Sequence, residues 1–405
     1  FMTFKNVVKL GDFVTIKHGY AFPGKFITSQ ETKKILVTPG NFNIGGGFKS
    51  SKFKYYSGET YPEQYRFNGG ELIVTMTDLS KETDTLGYAA LVPNDNNIYL
   101  HNQRVGLVQI LNNDLDKMYL YWKMRTREYQ EFIANSASGT SVMHTSPKKI
   151  CEYEFLLPTK LEQKAIASVL SSLDEKIDLL HCQNKTLESM AETLFRQWFI
   201  LDSTGVSVSI DQIIDFNPKR TLIKSQDATY LDMAGLSTVI FRANGYYRRP
   251  FSSGTKFTKR DTLLARITPC LENGKAAYID FLDDNETGWG STEFIVMRPK
   301  KEIHPFISYI MCRNPDFKEY AESCMEGSTG RQRVNLDHLK KFNVNLPTEA
   351  SLRIINELLD SFESKLINNS KQIDSLEKLR DTLLPKLMSG EVRVQYAEEA
   401  IASVA

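Results

Sequence analysis

Apolar residues recur with a heptad spacing in two long stretches of the chain. In both stretches the spacing alternates between four and three residues, which is typical of the buried seam of a coiled coil. The first seam consists of Ile166, Leu170, Leu173, Ile177, Leu180, Asn184, Leu187, Ala191, Leu194 and Trp198, and the second of Ile355, Leu359, Phe362, Leu366, Asn369, Ile373, Leu376, Arg380, Leu383 and Leu387. We therefore predict two long helices, at 158–200 and 347–388, that pack together.

The predicted helices carry signals at their ends and an asparagine within each seam. Thr159 and Glu162 have the spacing of a capping box at the start of the first helix. Pro385 should end or kink the second helix just before it. Asn184 and Asn369 interrupt the seams. Such a residue either fixes the register of the two helices or points to water, and the sequence leaves both alternatives open.

The sequence contains an internal repeat. At an offset of 189 residues and without a gap, residues 157–199 match residues 346–388 at 12 of 43 positions. Upstream, residues 72–77 resemble residues 263–268, and residues 87–90 resemble residues 274–277. A repeat of this length implies two copies of one structural unit. We expect a first globular domain at 1–157, a first long helix at 158–200, a second globular domain at 201–346, a second long helix at 347–388 and a tail at 389–405.

Short apolar runs between turn residues predict strands in both globular parts. The runs lie at 72–76, 89–92, 105–110, 262–267, 276–281 and 293–297. Turn residues bound them, as in short strands joined by tight turns. Amphipathic helices are predicted at 117–134 and 305–322. The fold class is therefore α+β, with curved, mainly antiparallel sheets in two similar domains.

The relative direction of the two long helices decides how the repeat is arranged. Parallel helices would place both domains at one end, whereas antiparallel helices would separate them and relate them by a pseudo-two-fold axis. The long connection through residues 200–345 allows the antiparallel arrangement, which we therefore expect. Duplex DNA also has pseudo-two-fold symmetry, so such a molecule could bind two half-sites about one helical turn or a little more apart.

Several motifs resemble those of the specificity subunits of type I restriction–modification systems. They are Leu157, Pro158, Gln163, Lys164 and Ile166 at the start of the first helix, Gly11-Asp12 and Gly19-Tyr20-Ala21-Phe22 before it, and the closing Leu383-Leu384-Pro385-Lys386-Leu387-Met388-Ser389-Gly390. The resemblance covers almost the full length. It implies two target recognition domains, separated by two long antiparallel helices, that each read one half of a bipartite target in double-stranded DNA.

The same resemblance implies partners. Two methyltransferase subunits would bind to the helices and supply S-adenosylmethionine chemistry on adenine, and restriction (motor-nuclease) subunits would join for cleavage. The second copy departs from the motif, because Leu352-Arg353 stands where the first copy has Gln163-Lys164. This difference weakens the expectation that the two copies bind their partners through identical residues.

Composition and motifs argue against catalysis by this chain itself. Fifty basic and 49 acidic residues leave a formal charge of +1, which excludes binding of nucleic acid through bulk charge alone. The sequence has no convincing Gly-rich cofactor loop and no metal-ligand spacing of histidine or cysteine. No apolar stretch is long enough to span a membrane, and the first residues do not form a secretory signal. We expect a noncatalytic cytoplasmic protein with reduced cysteines, no bound cofactor and no metal.

Two stretches that combine cations with aromatic residues are the first candidates for DNA contacts. Cationic side chains bind phosphates, and arginine also bonds to guanine edges. The stretches contain Lys49, Lys52, Lys54, Tyr55, Tyr56, Tyr61, Tyr65 and Arg66 in the first domain, and Arg242, Tyr246, Tyr247, Arg248, Arg249, Lys256, Lys259 and Arg260 in the second. The alternative for each stretch is a lysine-rich hairpin whose aromatic residues face the core.

Two segments rich in glycine and hydroxyl residues are further candidates, because they allow the backbone to approach a ligand closely. They occupy equivalent places in the two copies. Their candidate residues are Ser138, Thr140, Ser141 and His144 in the first copy and Thr329, Arg331, Gln332 and Arg333 in the second, with Thr77, Gln103, Arg104 and Arg266 as weaker candidates. An ordinary surface loop is the alternative for each segment.

These observations favour a noncatalytic DNA-recognition subunit over its main rival, a coiled-coil scaffold that holds two protein-binding domains. Neutralisation of phosphates makes DNA binding strongly salt-dependent. A steep salt dependence, together with a preference for one split sequence, would therefore distinguish the two functions.

Overall fold

The chain forms two compact units that each combine a globular part with segments of both long helices. The computed structural model describes residues 7–78, 83–140, 142–202, 204–300, 302–328 and 330–395. The first unit is made from residues 1–177 and 374–405, and the second unit is made from residues 178–373. The described residues 7–177 and 374–395, which are far apart in the sequence, therefore fold together in the first unit.

The first unit contains twelve described strands and three short helices before the first long helix. The strands are β1 (Val7–Lys9), β2 (Val14–His18), β3 (Ile27–Thr28), β4 (Lys34–Val37), β5 (Lys54–Tyr56), β6 (Leu72–Thr75), β7 (Thr77–Asp78), β8 (Ala89–Leu91), β9 (Ile98–His101), β10 (Val105–Ile110), β11 (Met143–His144) and β12 (Glu154–Leu156). The helices are α1 (Lys117–Lys123), α2 (Arg127–Asn135) and α3 (Pro147–Cys151), and they precede α4 (Lys160–Phe195).

Two four-stranded sheets form the body of the first unit. One has the strand order β2-β10-β6-β8 and is antiparallel throughout. The other has the order β3-β5-β4-β9, in which β4 and β9 are parallel. Central strand β6 is buried along its whole length. The mainly antiparallel α+β fold predicted from the apolar runs is therefore confirmed for this unit.

The second unit repeats this architecture. Its strands are β13 (Val206–Ser209), β14 (Ile214–Phe216), β15 (Asp227–Leu231), β16 (Tyr247–Pro250), β17 (Thr255–Thr258), β18 (Thr262–Ala265), β19 (Ala276–Tyr278), β20 (Thr287–Gly290), β21 (Phe294–Pro299), β22 (Met325–Glu326), β23 (Arg333–Val334) and β24 (Asn343–Leu346). Its helices are α5 (Phe306–Arg313), α6 (Pro315–Ser323), α7 (Leu336–Leu339) and α8 (Glu349–Ser389), the last of which extends into the first unit.

The two sheets of the second unit show what the copies share and where they differ. The sheet β14-β21-β18-β19 has the same connections as β2-β10-β6-β8. The sheet β16-β15-β20-β17 again pairs two strands in parallel, here β15 and β20. Its fourth strand, β17, pairs with β20, whereas in the first unit the fourth strand, β3, pairs with β5 at the opposite edge. The copies therefore differ most at the edges of the second sheet.

Each short amphipathic helix predicted from the sequence is a pair of helices. The helix predicted at 117–134 is interrupted after Lys123, and Thr126 caps α2 by accepting a hydrogen bond from the N–H of Tyr129. The helix predicted at 305–322 is interrupted at Asn314, which caps α6 just before Pro315. In both copies a capping side chain offers the backbone an alternative to a continuous helix.

The first long helix begins with the predicted capping box, and the second ends within one residue of its predicted end at 388. The N–H of Thr159 donates to Glu162 Oε2 at 3.0 Å, and the N–H of Glu162 donates to Thr159 Oγ1 at 3.4 Å, so the capping box is formed. Helix α4 is followed by one π-helical turn at Arg196–Leu201. Helix α8 continues through Pro385 to Ser389, so of the two alternatives at this proline the helix does not end there. Leu387 and Met388 are buried, and their packing holds the last turn in place.

The seam residues of both helices lie in the hydrophobic cores of the units. Ile166, Leu170, Leu173, Ile177, Leu376 and Leu383 are buried in the first unit, and Ile355, Leu359, Leu366 and Ile373 are buried in the second. Leu187, Leu194 and Phe362 are only half-buried. The apolar seam therefore has one partly open stretch, which lies in the second unit.

The two seam asparagines bond to each other across the helices. Asn369 Nδ2 donates to Asn184 Oδ1 at 2.9 Å, and Asn184 Nδ2 lies 3.4 Å from Ser370 Oγ. Farther along, Leu194 of α4 lines a groove with Leu358 of α8, so higher numbers on one helix meet lower numbers on the other. Within this unit the helices are antiparallel. Both asparagines are buried, which excludes the alternative that they point to water.

Candidate nucleic-acid interface

A turn and a hairpin meet beside the end of strand β6 in the first unit. The N–H of Met76 donates to the carbonyl of Arg104 at 3.0 Å, and the N–H of Thr145 donates to the carbonyl of Met76 at 3.0 Å. The hairpin is closed by two backbone hydrogen bonds between Ser138 and His144, at 2.9 and 2.8 Å. We refer to this junction of turn and hairpin as the β6 corner.

The β6 corner gathers five of the predicted contact residues in exposed positions. These are Gln103 and Arg104 in the turn, and Ser138, Thr140 and His144 in the hairpin. Thr77 has a different role, because it is only 3% exposed and its Oγ1 lies 3.1 Å from Nδ1 of His144. Thr77 positions the histidine and does not face a ligand, so its prediction as a contact residue is wrong. Ser141 lies outside the described residues.

The second unit contains the same corner, at the end of strand β18. The N–H of Arg266 donates to the carbonyl of Glu293 at 3.0 Å, and the N–H of Val334 donates to the carbonyl of Arg266 at 2.8 Å. These bonds make Arg266 equivalent to Met76, and Glu293 equivalent to Arg104. The sequence alignment of 72–77 with 263–268 is therefore shifted by one residue here. We refer to this junction as the β18 corner.

Arginine and glutamate meet at the β18 corner. Arg333 Nε lies 2.9 Å from Glu293 Oε2 and Nη2 lies 2.6 Å from Oε1. The hydrogen bonds from Arg333 lower the pKa of the Glu293 carboxyl, so this residue is ionised at neutral pH. Arg266 Nη2 donates to the carbonyl of Val334 at 2.9 Å. Two candidates, Arg266 and Arg333, thus lie close to one carboxylate that was not among the predicted contact residues.

The backbone of the hairpin at the β18 corner fixes another of the predicted contact residues. The carbonyl of Gln332 accepts a hydrogen bond from the N–H of Thr268 at 3.1 Å, and the residue is half-buried. Arg331 beside it is exposed. Thr329 lies outside the described residues. The hairpin therefore presents arginine side chains in a defined geometry.

The first cation-rich stretch contains exposed lysines and buried aromatic residues. Lys49, Lys52 and Lys54 are exposed, but Tyr56 is 4% exposed and packs against Phe22 with ring centroids 5.1 Å apart. The prediction of Tyr56 as a contact residue is wrong, because side chains of a strand alternate between its two faces and this one faces the core. Tyr55 is half-buried against neighbouring aromatic residues.

In the first unit, the strand order of the sheet β3-β5-β4-β9 places these lysines at the same end as the turn of the β6 corner. Strand β5 is antiparallel to β4, and β4 is parallel to β9, so β5 begins beside the ends of β4 and β9. Lys52 comes just before β5, and Arg104 follows just after β9. Cations from two separate parts of the sequence therefore lie at one end of the sheet.

In the second cation-rich stretch, two neighbouring arginines on the exposed strand β16 have different surroundings. Arg248 Nε lies 2.8 Å from Asp227 Oδ2, and its Nη1 lies 3.4 Å from Glu286 Oε1. The guanidinium of Arg249 lies over the ring of Tyr230, 4.7 Å from its centroid. Carboxylates neutralise the first arginine, whereas an aromatic ring supports the second.

The other residues of this stretch divide between surface and core. Arg242 forms a buried ion pair with Asp280 at 2.8 Å, so its prediction as a DNA contact is wrong. Its partner is 38 residues away in the sequence and neutralises it inside the domain. Tyr246 is exposed and stacks on Phe281 with centroids 3.9 Å apart. Tyr247 is also exposed. It is the first residue of β16, and it lies at the end of the sheet where the chain leaves β20 and continues to the β18 corner.

A group of ion pairs that was not predicted from the sequence joins the first globular part to the long helices. Asp174 of α4 accepts from Arg125 at 2.6 Å and from Arg380 of α8, also at 2.6 Å. Gln163, which is buried, accepts from the N–H of Asp116 at 2.7 Å. These contacts explain why polar residues occur on helix faces that would otherwise be apolar.

The second globular part is joined to the helices by similar means. Tyr309 donates to Glu188 of α4 at 3.0 Å, and burial raises the pKa of Glu188 to about 7. Arg313 Nε donates to Tyr309 Oη at 2.8 Å, as Arg125 Nη1 does to Tyr121 at 2.6 Å in the other copy. The recurrence of tyrosine four residues before arginine was the sequence signal that could have revealed this attachment.

Among the described residues, one group of side chains has the geometry of metal ligands. Ligand atoms of His304, Asp360 and Glu363 lie within 4.8 Å of one another. Arg260 Nη2 lies 3.2 Å from His304 Nε2 and 3.4 Å from Asp360 Oδ1, and it also bonds to Glu363. The guanidinium supplies the positive charge at this place. Arg260 therefore joins the domain to α8 and is not a surface cation of the second stretch.

Comparisons with known proteins agree with the repeated architecture. The family model described as type I restriction modification DNA specificity domain matches residues 3–189 and 204–378. The specificity subunit of the type I restriction enzyme MjaIX from Methanocaldococcus jannaschii is 25% identical over 353 residues, which cover 76% of each chain. The HindI specificity subunit from Haemophilus influenzae is 22% identical over 348 residues, covering 66% of this chain and 75% of that one.

A solved structure shows the same fold. The S subunit of a type I restriction–modification system from M. genitalium aligns over 96% of both chains with a TM-score of 0.59 and 18% sequence identity. Within the part of our structure that is described, the helices are all too short or too polar to cross a membrane.

Proposed function

Because the chain belongs to the type I restriction modification DNA specificity family, we propose that it is the noncatalytic DNA-recognition subunit of a type I restriction–modification complex. Each unit reads one half of a bipartite target in double-stranded DNA. The observation that carries this proposal is the presence of the same exposed corner in both units, built on the same backbone hydrogen bonds. The subunit works in the cytoplasm, where it has access to DNA.

The chemistry of the corners supports this role. Arg104 and His144 at the β6 corner, and Arg331 and Arg333 at the β18 corner, are exposed side chains on short, well-anchored segments. Exposed cations such as Lys52 bind phosphates and set the position of the protein on the duplex. Arginine and histidine held by strand hydrogen bonds are suited to the edges of bases, because base readout requires defined geometry.

The partly open stretch of the apolar seam in the second unit supports the proposal of a protein partner. In the second unit, Met190, Leu194, Leu358 and Phe362 line a groove of about 570 Å³ between α4 and α8. Met190 is 47% exposed and Leu358 is 40% exposed, although both are apolar. An amphipathic helix buries such a face well. We assign this groove to one of two methyltransferase subunits, which bind S-adenosylmethionine, and restriction subunits join that assembly for cleavage.

Selection from a randomised duplex pool tests the DNA function. The full chain, purified with its companion methyltransferase subunit, should enrich one split sequence with a spacer of constant length. Its affinity should fall steeply with salt, since each neutralised phosphate contributes about one unit to the slope of log affinity against log salt concentration. A duplex with one half-site scrambled is the matched control. Binding without sequence preference, or without salt dependence, would instead support the scaffold function.

Substitutions in the groove test the partner. Met190→Glu with Leu358→Glu should abolish co-purification of at least one methyltransferase subunit, because a charge replaces apolar contact on each side of the groove. Both residues are partly exposed, so the variant should still fold. Ile223→Glu changes an apolar residue that is 77% exposed and lies outside the helices, and it is the matched control. Equal methyltransferase content in all three preparations would place the partner elsewhere.

A further inference from the structure

We propose that Arg333 and Glu293 form a base-reading pair that recognises one G·C base pair in the half-site bound by the second unit. The proposal rests on the DNA-recognition function proposed above, and it names the residues that discriminate between bases. It derives from the orientation of one guanidinium, from its charge balance and from the contrast between the two corners.

One edge of the Arg333 guanidinium remains available for a ligand. Its Nε and Nη2 face the two carboxylate oxygens of Glu293 at 2.9 and 2.6 Å. Among the described residues, none accepts a hydrogen bond from Nη1, and half of the side-chain surface is exposed. A guanidinium carries five N–H groups in a fixed fork. The edge formed by Nη1 and Nη2 therefore remains for a second acceptor pair, and O6 and N7 of guanine form such a pair.

Both members of the pair are held rigidly by the backbone around them. Arg333 lies in strand β23, where it pairs with Glu326 and with Ile267 on its two sides. Glu293 is held by its own N–H, which donates to Ser291 Oγ at 3.1 Å. The carboxylate fixes the plane of the guanidinium before DNA arrives. A side chain that is already ordered loses less conformational entropy on binding, so it discriminates between bases more strongly.

The charge of Arg333 is balanced by Glu293. A phosphate contact depends on net positive charge, and a guanidinium paired with a carboxylate has almost none to offer. Arg331 on the same hairpin is exposed and has no acidic partner among the described residues, so it is the better phosphate contact. This division of roles between two neighbouring arginines predicts opposite effects of their substitution.

The contrast between the corners predicts that the two units read different sequences. At the position of Glu293 the first unit has Arg104, and at the position of Arg333 it has His144. The carboxylate of one corner is thus replaced by a cation in the other. We expect the two half-sites to differ in sequence. The Arg333–Glu293 pair should recognise a G·C pair only in the half-site bound by the second unit.

The test is the same pool selection, applied to the chain with its methyltransferase subunit and to four variants. Arg333→Lys keeps the charge but loses the fork, and Glu293→Gln keeps the size but loses the carboxylate. Arg331→Ala is the matched control on the hairpin. Arg104→Ala shows which half-site belongs to the first unit, because only that half-site should change. Thermal melting confirms that each variant is folded.

With Arg333→Lys, discrimination at one G·C pair of the other half-site should fall by about 5- to 150-fold, while the remaining positions keep their preference. Glu293→Gln should weaken discrimination at the same base pair and make the salt dependence steeper by about one unit, since a cation is released. Arg331→Ala should lower affinity for all sequences alike and make the salt dependence shallower by about one unit.

Two results would overturn the proposal. One is an Arg333→Lys variant with unchanged discrimination at every position. The other is an Arg333→Lys variant that binds all sequences less tightly to the same extent, which identifies a phosphate contact. A wild-type complex that enriches no split sequence would refute the DNA-recognition function itself, so the two failures are distinguishable.

Discussion

Removal of the Asp174 carboxylate should unfold the first unit at a markedly lower temperature. Asp174 is the shared acceptor of Arg125 and Arg380, at 2.6 Å from each. The Arg125 side chain is 7% exposed and that of Arg380 is 17% exposed. Asp174→Ala leaves both charges buried without their partner, a change that typically costs about 3–5 kcal/mol.

The loss of stability should lie at the lower end of that range, because both arginines keep other contacts. Arg125 keeps hydrogen bonds to Tyr121 Oη and to the carbonyl of Gly45, and Arg380 keeps its contact with Asp381 at 2.9 Å. We therefore expect a loss of about 3 kcal/mol, which corresponds to a decrease of about 6–12 °C in the melting temperature of a unit of this size.

Scanning calorimetry of the full chain, with hydrogen exchange to assign each transition to a unit, measures this effect. The transition of the second unit should not move, since Asp174 belongs to the first. Glu175→Ala is the matched control, because Glu175 is the exposed neighbour on the same helix, and it should change stability by less than about 0.5 kcal/mol. If Asp174→Ala and Glu175→Ala melt alike, the ion pairs contribute nothing and the reasoning is refuted.

Three other substitutions test separate parts of the structure. Burial lowers the pKa of His101 from 6.5 to about 4, so its contribution to stability is complete above pH 6.5 and falls by about 1.4 kcal/mol per pH unit as the pH decreases from 6.5 to 4. Melting between pH 7 and pH 4.5 should therefore depend less on pH in His101→Gln, and identical profiles would contradict this assignment. Asn369→Leu should cost about 1–3 kcal/mol because it leaves buried Asn184 without its donor, and adding Asn184→Leu should restore most of that stability; equal melting of the single and double variants would be evidence against the asparagine pair. Leu173→Glu should destabilise the first unit by about 4 kcal/mol or more, because it buries a charge; normal melting together with normal methyltransferase co-purification would mean that Leu173 is not in a seam.

The fold could be predicted from the sequence wherever the signal was periodic. The heptads indicated both long helices, and the repeat indicated that one globular architecture occurs twice. Periodicity reports burial directly, because the same face recurs every turn or every second residue. Local side-chain capping has no such period. The breaks before Thr126 and at Asn314 were therefore not predicted.

The candidate site was predicted only in part, for a different physical reason. Composition identified the exposed lysines and the glycine-rich hairpins, but it did not show which cations already have acidic partners. Asp280 neutralises Arg242, and Asp227 and Glu286 neutralise Arg248. These partners lie 21–38 residues away in the sequence, and only the strand pairing brings them together. Glu293 was not predicted, because a stretch rich in cations gives no indication of a carboxylate from another part of the sequence.

The order of synthesis has a consequence for how this chain folds. The segment 374–395 packs within the first unit, although it leaves the ribosome after the whole of the second. Until this segment is synthesised, Ile166, Leu170 and Leu173 are less buried than in the complete unit. A nascent chain that contains residues 1–177 alone should therefore be prone to association. A fragment intended for study in isolation should carry that late segment fused to the early one.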